Sequence, residues 1–417
     1  MKSVLGVLRR PVTAAVAGQV TQAAAGLVLQ VAAARSLGAS GFGAFAVAYG
    51  AIVLATAVCS GLVGDSLTVL DRREPGVRAA LHGWTVVVSA GAGVLGVLAT
   101  VLTDLGGTGT GLLLGLATAA FIVEDTLRRL LMATGRFWSL SAVDGTSLVL
   151  ALSTLAGLAS LGELTFPSFV VALLVGQVGA SVTAYVLLPA SERPHGPWRR
   201  PAWAEVFAFG SWRAATQTIR PALMTALRLL VVATAGVAAY GPIEAARVYT
   251  APTLVLVGGL GSFLLPHFVA LRGRPVAHSL RVADRAALGL AVAVALIGAA
   301  ALLVLPFLGP VITGGDYGVP AAAVAGWSAY AVASALLLPY GAMASAHREQ
   351  ARVLGLRTLE LLSLAAVLVL VLTHPSHAAW APLALAIGPL LAAAAVRRRV
   401  LRPLVDRPRQ AEVVAVG

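Results

Sequence analysis

Residues 207–233 read FAFGSWRAATQTIRPALMTALRLLVVA, an apolar run that carries arginines at positions 213, 220 and 228. Its length suits a helix that crosses a bilayer, which needs about 20 residues. Each central arginine costs about 2.5–3.5 kcal/mol to place in hydrocarbon, so the three must face water, protein or an anion. At 100° per residue, Arg213, Gln217, Arg220 and Arg228 fall within an arc of about 80°. The run therefore predicts a membrane helix with one cationic face.

A matching polar face occurs in the first apolar run of the chain. A shift of 198 residues takes Gln217 to Gln19, and the same shift takes Arg220 to Gln22. We therefore predict that two equivalent helices turn polar faces towards one cavity. The candidate binding residues on these faces are Arg220, Arg228, Arg213, Gln217, Gln19, Gln22 and Gln30.

The composition predicts an all-α polytopic membrane protein. Hydrophobic residues make up 59% of the chain and charged residues only 11%, which is far from the balance of a soluble domain. The net charge of +13 does not indicate nucleic-acid binding, because the basic residues lie in short gaps between apolar runs rather than on a soluble face. Cys59 is the single cysteine; it excludes an intramolecular disulfide, and no metal or cofactor site is predicted.

The apolar runs predict about twelve membrane spans. Lys and Arg concentrate at the N-terminus, in alternate loops and in the C-terminal tail, whereas the loops near 104–110, 161–167, 307–320 and 374–377 contain none. Because basic loops stay in the cytoplasm, we expect both termini to be cytoplasmic. The predicted spans are 12–34, 42–64, 80–103, 111–132, 139–160, 168–188, 207–233, 243–265, 286–306, 321–343, 354–373 and 378–396.

Short motifs recur in the same order in both halves of the chain. Gly38-x-x-x-Phe42-Gly43 follows the first span, and Gly236-x-x-x-Tyr240-Gly241 follows the seventh. Each half has six predicted spans and begins on the same side, so the repeats are parallel and related by an axis along the membrane normal. The predicted division is an N-terminal lobe 1–190, a cytoplasmic linker 191–205, a C-terminal lobe 206–396 and a basic cytoplasmic tail 397–417.

Three segments resemble a known family. They are Ala34-Arg35-Ser-Leu-Gly38-Ala-Ser-Gly-Phe42-Gly43-Ala-Phe45, the pair Glu124-Asp125-x-x-Arg128-Arg129 and Thr134-Gly135-Arg136 with Asp144, and Leu308-Gly309-Pro-Val-Ile-Thr-Gly314-Gly315-Asp316-Tyr317. They resemble the turn after the first helix, the fourth-to-fifth span and the outer loop after the ninth span of polysaccharide (Wzx-type) flippases. That family belongs to the multidrug/oligosaccharidyl-lipid/polysaccharide (MOP) exporter superfamily.

The resemblance implies a MATE-like fold of two six-helix lobes in a bacterial cytoplasmic membrane. It implies that a polyprenyl-pyrophosphate-linked oligosaccharide moves from the inner to the outer leaflet, without a cofactor and beside glycosyltransferases or a polymerase of the same pathway. Arginine suits such a substrate, because its guanidinium stays charged and matches phosphate oxygens with a fork of donors. Glutamine amides can both donate to and accept from sugar hydroxyls.

Two other transporters of the superfamily remain as alternatives. A multidrug or cation exporter would need buried carboxylates, and the first and seventh spans contain none. A peptidoglycan-precursor flippase is expected to have fourteen spans rather than twelve. We do not expect an enzyme, because the outer loops are short and offer only the acids Asp104, Glu163, Glu244 and Asp316.

The remaining intramembrane charges are interpreted mainly as structural ion pairs. Glu124 with Arg128 and Asp125 with Arg129 are four residues apart on one helix, and Glu360 lies one turn from Arg357. Arg228 is expected to extend to the membrane surface or to pair with Glu244. Asp65 and Asp144 are candidates for a gating salt bridge with Arg136 or with an arginine of the other lobe.

Overall fold

The computed structural model describes residues 11–102, 107–193, 200–347 and 349–406. Every regular element among these residues is helical. Short helical turns at Ser66–Val69 and Ala190–Glu192 lie between the long helices. The long helices are α1 Pro11–Ser36, α2 Gly38–Gly64, α3 Pro75–Leu102, α4 Gly107–Ala133, α5 Phe137–Ala159, α6 Phe166–Leu187, α7 Trp203–Ala235, α8 Val237–Val248, α9 Ala251–Ala270, α10 Val276–Thr313, α11 Ala321–Ala346, α12 Gln350–Thr373 and α13 Pro375–Asp406.

Ten helices in the described part of the chain are long and apolar enough to cross a membrane. The predicted all-α membrane fold is therefore confirmed, and these ten helices correspond to the predicted spans other than the first and the eighth. The first predicted span corresponds to α1, of 26 residues. The eighth is divided at Tyr249 and Thr250 into α8, of 12 residues, and α9, of 20.

The chain reverses direction from one long helix to the next, except that α8 and α9 follow each other within one divided span, and this gives the bundle two ends. We call the end with Pro11, Asp65 and Asp406 the terminal end and the opposite one the distal end. At the terminal end, the loop before α3 is joined to the start of the predicted linker by an ion pair between Arg72 and Glu192, with 2.9 Å between Nε and Oε2. The hydrogen bond from Arg72 holds the pKa of the Glu192 carboxyl below its usual range.

Helix α2 lies where the two predicted lobes meet. Helices α3 to α6 pack mainly against one another, and α10 to α13 do the same. Helix α2 instead packs along α7 and α8. The lobe and linker boundaries stay predictions, but α2, α7 and α8 are the described helices whose contacts most clearly join one half of the chain to the other.

Glycines make the closest contact between α2 and α8, near the distal end. A methyl group on Gly43 would collide with the carbonyl oxygen of Val237, and one on Gly241 would collide with that of Ala39. A shift of 198 residues takes Gly43 to Gly241 and Ala39 to Val237, so the two contacts are equivalent. The two motifs that repeat in the sequence therefore face each other across a local two-fold axis. A side chain at either glycine would force the backbones apart.

We expect Gly241→Ala to lower the thermal unfolding midpoint of the purified protein. The added methyl group overpacks a backbone contact, which costs about 1–3 kcal/mol and outweighs the better helix propensity of alanine. Gly289→Ala is the matched control, because Gly289 is also helical and has open space where its Cβ would lie. We expect the control to be neutral or stabilising. Equal midpoints for the two variants, measured in the same detergent, would contradict the close contact.

Candidate functional site

A cavity of about 450 Å³ lies between α1, α2, α4, α5, α6 and α7. We call it the central cavity. Its apolar wall includes Tyr49, Val53 and Phe121, and its volume lies within the usual range for small-molecule sites. Its polar lining residues are Gln22, Thr56, Ser60, Glu124, Asp125, Arg129, Asp144, Ser147, Gln177, Gln217 and Arg220.

Asp65 binds two residues of the cavity lining, Arg129 and Gln217, through a group of interactions that we call the Asp65 cluster. Its carboxylate accepts hydrogen bonds from Arg213 Nε at 2.8 Å and from Gln217 Nε2 at 3.0 Å. Arg129 Nη1 lies 3.4 Å from the other oxygen. Asp65 is thus paired with an arginine of the other predicted lobe, which was one of the expected gating partners. Arg136 instead donates to a backbone carbonyl at the end of α6.

Ion pairs within the first six helices neutralise most of the charged side chains that line the cavity. Arg129 Nε lies 3.0 Å from Asp125 Oδ2 on the next turn of α4, as predicted. The predicted pair of Glu124 with Arg128 is wrong, because Arg128 Nη2 lies 3.2 Å from Asp144 of α5. Helical spacing placed Glu124 within reach of Arg128, but the packing of α5 supplied a competing carboxylate.

These pairs leave one guanidinium and one carboxylate of the central cavity without an ionic partner among the described residues. Arg220 is exposed on α7, and its guanidinium carbon lies 5.9 Å above the ring of Tyr330. Glu124 is only 8% exposed on α4, and no described residue forms a hydrogen bond or salt bridge with it. The two unpaired charges lie on walls formed by different halves of the chain.

A second charged group lies beyond the cavity, towards the distal end. Glu244 Oε1 is 3.2 Å from Arg228 Nη2 and 2.7 Å from Arg247 Nη2, and Tyr240 donates a hydrogen bond to its other oxygen. Arg247 also donates to Gln30 of α1 at 3.5 Å. We call this group the Glu244 cluster. Arg228 is therefore buried against Glu244, the second of the two arrangements expected for it.

The structure brings together only part of the predicted binding set. Gln22, Gln217 and Arg220 line the central cavity. Gln30 and Arg228 belong to the Glu244 cluster. Two other members of the set lie elsewhere: Arg213 is in the Asp65 cluster, and Gln19 is an exposed residue of α1 outside the cavity lining.

Several polar residues of the cavity were not predicted as binding residues. The sequence indicates structural ion pairs for Glu124, Asp125 and Arg129 and a gating salt bridge for Asp144, and it does not single out Gln177. The available signal was the density of charge in α4, where Glu124, Asp125, Arg128 and Arg129 fall within two turns of an otherwise apolar helix. Such charges inside a membrane helix usually mark a polar route.

Comparison with known proteins identifies the fold. No family model matches the chain, and no curated protein matches it. Solved structures do match. A multidrug resistance MATE family transporter of the MOP superfamily in an inward-facing conformation has 16% identity and a TM-score of 0.70, over 92% of this chain and 96% of that one. The fold is that of MOP-superfamily transporters.

Two further solved structures have the same fold. A MOP superfamily transporter from Pyrococcus furiosus, described with a binding pocket of reverse polarity, has 16% identity and a TM-score of 0.61 over 95% of each chain. The eukaryotic MATE transporter AtDTX14 has 14% identity and a TM-score of 0.63, over 95% of this chain and 97% of that one. These comparisons show the fold alone, so the function must be argued from the chemistry of the cavity.

We expect Asp65→Asn to loosen the contact between α2 and α7 at the terminal end. The change removes the charge that holds Arg129 and Arg213, and a hydrogen bond to a charged group contributes about 1.5–3 kcal/mol. In a Cys59→Ala background, a cysteine at Thr56 on the cavity wall should then react several-fold faster with a polar thiol reagent.

Asp71→Asn is the control for this measurement. Asp71 also lies at the terminal end, but its carboxylate accepts only a local hydrogen bond from the backbone of Arg73. We expect the control to leave the labelling rate unchanged. An equal rate in the Asp65 variant and the parent would show that the Asp65 cluster does not close the cavity.

Proposed function

We propose that this protein flips a polyprenyl-pyrophosphate-linked oligosaccharide from the inner to the outer leaflet of a bacterial cytoplasmic membrane by alternating access. The observation that carries the proposal is Arg220. It is a cation in the cavity of a MOP-type transporter fold, and no described carboxylate neutralises it.

Arg220 has the chemistry needed to hold a pyrophosphate. Its guanidinium remains charged at any physiological pH and presents parallel N–H donors to two phosphate oxygens. The ring of Tyr330, whose centroid lies 5.9 Å from the guanidinium carbon, attracts the cation and leaves those donors free. An anion is therefore the ligand that would satisfy this side chain in a low-dielectric cavity.

The rest of the cavity supports a sugar-bearing headgroup. Gln22, Gln177 and Gln217 approach it from three different helices, and each amide can donate to and accept from a hydroxyl. The Oε1 atom of Gln177 is buried without a hydrogen-bond partner. A volume of about 450 Å³ suits a headgroup but not a polyprenyl chain, which on this proposal stays in the surrounding lipid.

The proposal assigns each end of the bundle to one side of the membrane. Basic loops lie at the terminal end, so this end faces the cytoplasm and both termini are cytoplasmic. Glycosyltransferases that build the lipid-linked substrate would then act at the terminal end. A polymerase that consumes it would act at the distal end.

The test uses Arg220 variants in proteoliposomes that contain a lipid-linked oligosaccharide. We expect Arg220→Gln to slow flipping about 10–100-fold, the effect of losing about 1.5–3 kcal/mol of charge-assisted hydrogen bonding. Arg220→Lys should recover part of the rate, because it restores charge without the planar fork. Arg281→Gln, at an exposed arginine near the terminal end of α10, is the control. Normal flipping by Arg220→Gln at wild-type abundance would refute the proposal.

A second candidate function is export of organic cations. The observation that favours it is Glu124, a carboxylate in the cavity that has no ionic partner among the described residues. The sequence argument against a cation exporter relied on the first and seventh spans, but the cavity also receives acids from α4 and α5. A buried carboxylate of this kind can bind a proton, a sodium ion or a cationic drug.

Glu124→Gln separates the two candidates, with Glu163→Gln at an exposed loop position as the control. For a cation exporter, we expect Glu124→Gln to abolish uptake of a fluorescent organic cation into energised inverted vesicles, and Arg220→Gln to leave it intact. For a flippase of anionic headgroups, neither the parent nor any variant should transport the dye. Dye transport that depends on Glu124 would therefore favour the exporter.

A further inference from the structure

The Glu244 cluster contains more positive charge than its own residues neutralise. Arg228 and Arg247 share a single carboxylate oxygen of Glu244. Tyr240 donates to the other oxygen and adds no negative charge while protonated. The Nε–H groups of both arginines are buried and have no hydrogen-bond partner. The cluster therefore holds two cations, one anion and two unused donors.

Burial makes this excess charge significant. The side chain of Arg228 is 5% exposed and that of Glu244 is 3% exposed. In such a setting a second guanidinium that no carboxylate offsets is costly, and an oxyanion that accepts its free donors would lower the cost. The side chain of Arg247 is 25% exposed, so it is the member of the cluster that a ligand can reach.

Among the described residues, no other carboxylate of the surrounding helices forms an ion pair with the cluster. Helix α1 contributes the amide of Gln30. Helix α2 contributes Gly50, whose missing side chain leaves room for the guanidinium of Arg228. Helix α11 contributes Trp327, which donates to the backbone of α8.

The cluster lies one helical turn beyond the cavity lining on α1 and about two turns beyond it on α7. Gly26 and Tyr49 line the cavity and approach each other within 4.0 Å, measured from a Cβ placed on Gly26. Gln30, which binds Arg247, is the next residue on the same face of α1. On α7, Arg228 lies eight residues after Arg220, a rise of about 12 Å along the helix. The two arginine positions are thus successive steps towards the distal end.

We infer that Arg247 and Arg228 form a second oxyanion site, distal to Arg220, which takes a phosphate or pyrophosphate group. This inference rests on the proposed function and adds a second binding site to the path of the same substrate. Glu244 neutralises one arginine, and Gln30 covers the other while α1 and α8 remain in contact. Separation of α1 from α8 removes Gln30, and the oxyanion then binds the free donors of Arg247 and Arg228.

For the site to bind an oxyanion, the ligand must be able to replace Gln30 as a partner of Arg247. The contact between Arg247 and Gln30 is 3.5 Å long and joins a cation to a neutral amide, whereas the contact between Arg247 and Glu244 is a 2.7 Å ion pair. A neutral amide competes poorly with a divalent oxyanion for a guanidinium. Glu244 therefore keeps the cluster assembled, and Gln30 is the partner that the ligand replaces.

The test counts ligands on the full chain in lipid nanodiscs, with radiolabelled inorganic pyrophosphate as the probe in equilibrium dialysis. We expect two ions per wild-type chain, one for Arg247→Gln and one for Arg220→Gln. Arg247→Gln is a suitable variant because it leaves Arg228 and Glu244 as a neutral buried pair, and its thermal midpoint should stay near the wild-type value. Arg247→Lys should retain the second ion with weaker affinity. Arg285→Gln, at an exposed arginine of α10, is the control.

The outcomes separate this inference from the proposed function. Two ions on Arg247→Gln but one on Arg220→Gln would overturn the second site and leave the proposed function standing. Two ions on both variants would overturn both proposals. Vesicles that carry a polyprenyl diphosphate serve as competitor: displacement of both ions assigns the site to the transported headgroup, and displacement of one assigns it to a free phosphate.

Discussion

Pairing of charges in a low-dielectric interior is the constraint on which the rest of this structure depends. A lone charge inside the bundle is costly, so each buried arginine or acid must find a partner, water or a ligand. Arg129 pairs with Asp125, and Arg128 pairs with Asp144. Once these partners are assigned, Arg220 and Glu124 are the cavity charges that remain for a ligand. The kind of ligand that the cavity can bind depends on these two side chains rather than on the total charge of its lining.

The same constraint places polar clusters at both ends of one interface. The Asp65 cluster joins α2 to α7 at the terminal end, and the Glu244 cluster reaches α1 at the distal end. Between α2 and α8, Gly43 and Gly241 bring backbone against backbone. Packed backbones deform little, so these helices are expected to separate as units rather than bend. Ionic contacts at the ends and glycine contacts near the axis are the interactions that the proposed alternating-access motion would have to break.

The sequence predicted the repeat more accurately than the site. The shift of 198 residues that relates Gly43 to Gly241 also relates Ala39, which Gly241 contacts, to Val237, which Gly43 contacts. The same shift related the polar faces of α1 and α7, yet only Gln22, Gln217 and Arg220 of these faces line the cavity. Helical periodicity gives the angle of a side chain around its own axis. It does not give the depth at which a neighbouring helix covers that side chain, which is why Arg228 and Gln30 lie beyond the cavity.

The missed residues have a similar explanation. Arg247 is not among the predicted binding residues, and its position depends on Glu244 three residues earlier and on Gln30 in another helix. Each acid of α4 has an arginine one helical turn away, so the sequence indicates that both acids form ion pairs within the helix. Packing against α5 gave Arg128 a different partner, Asp144, and left Glu124 without one among the described residues.

By itself, the sequence determined what local physics can decide. Long apolar runs require helices in a bilayer, because no other element satisfies its own backbone within one segment. Spacings of three and four residues placed Arg357 beside Glu360 and Arg129 beside Asp125. Only the tertiary structure decided which charges were left over. Residues as distant in the chain as Asp65 and Arg213, or Gln30 and Arg247, compete for partners across helix interfaces, and that competition is settled by packing rather than by spacing along one helix.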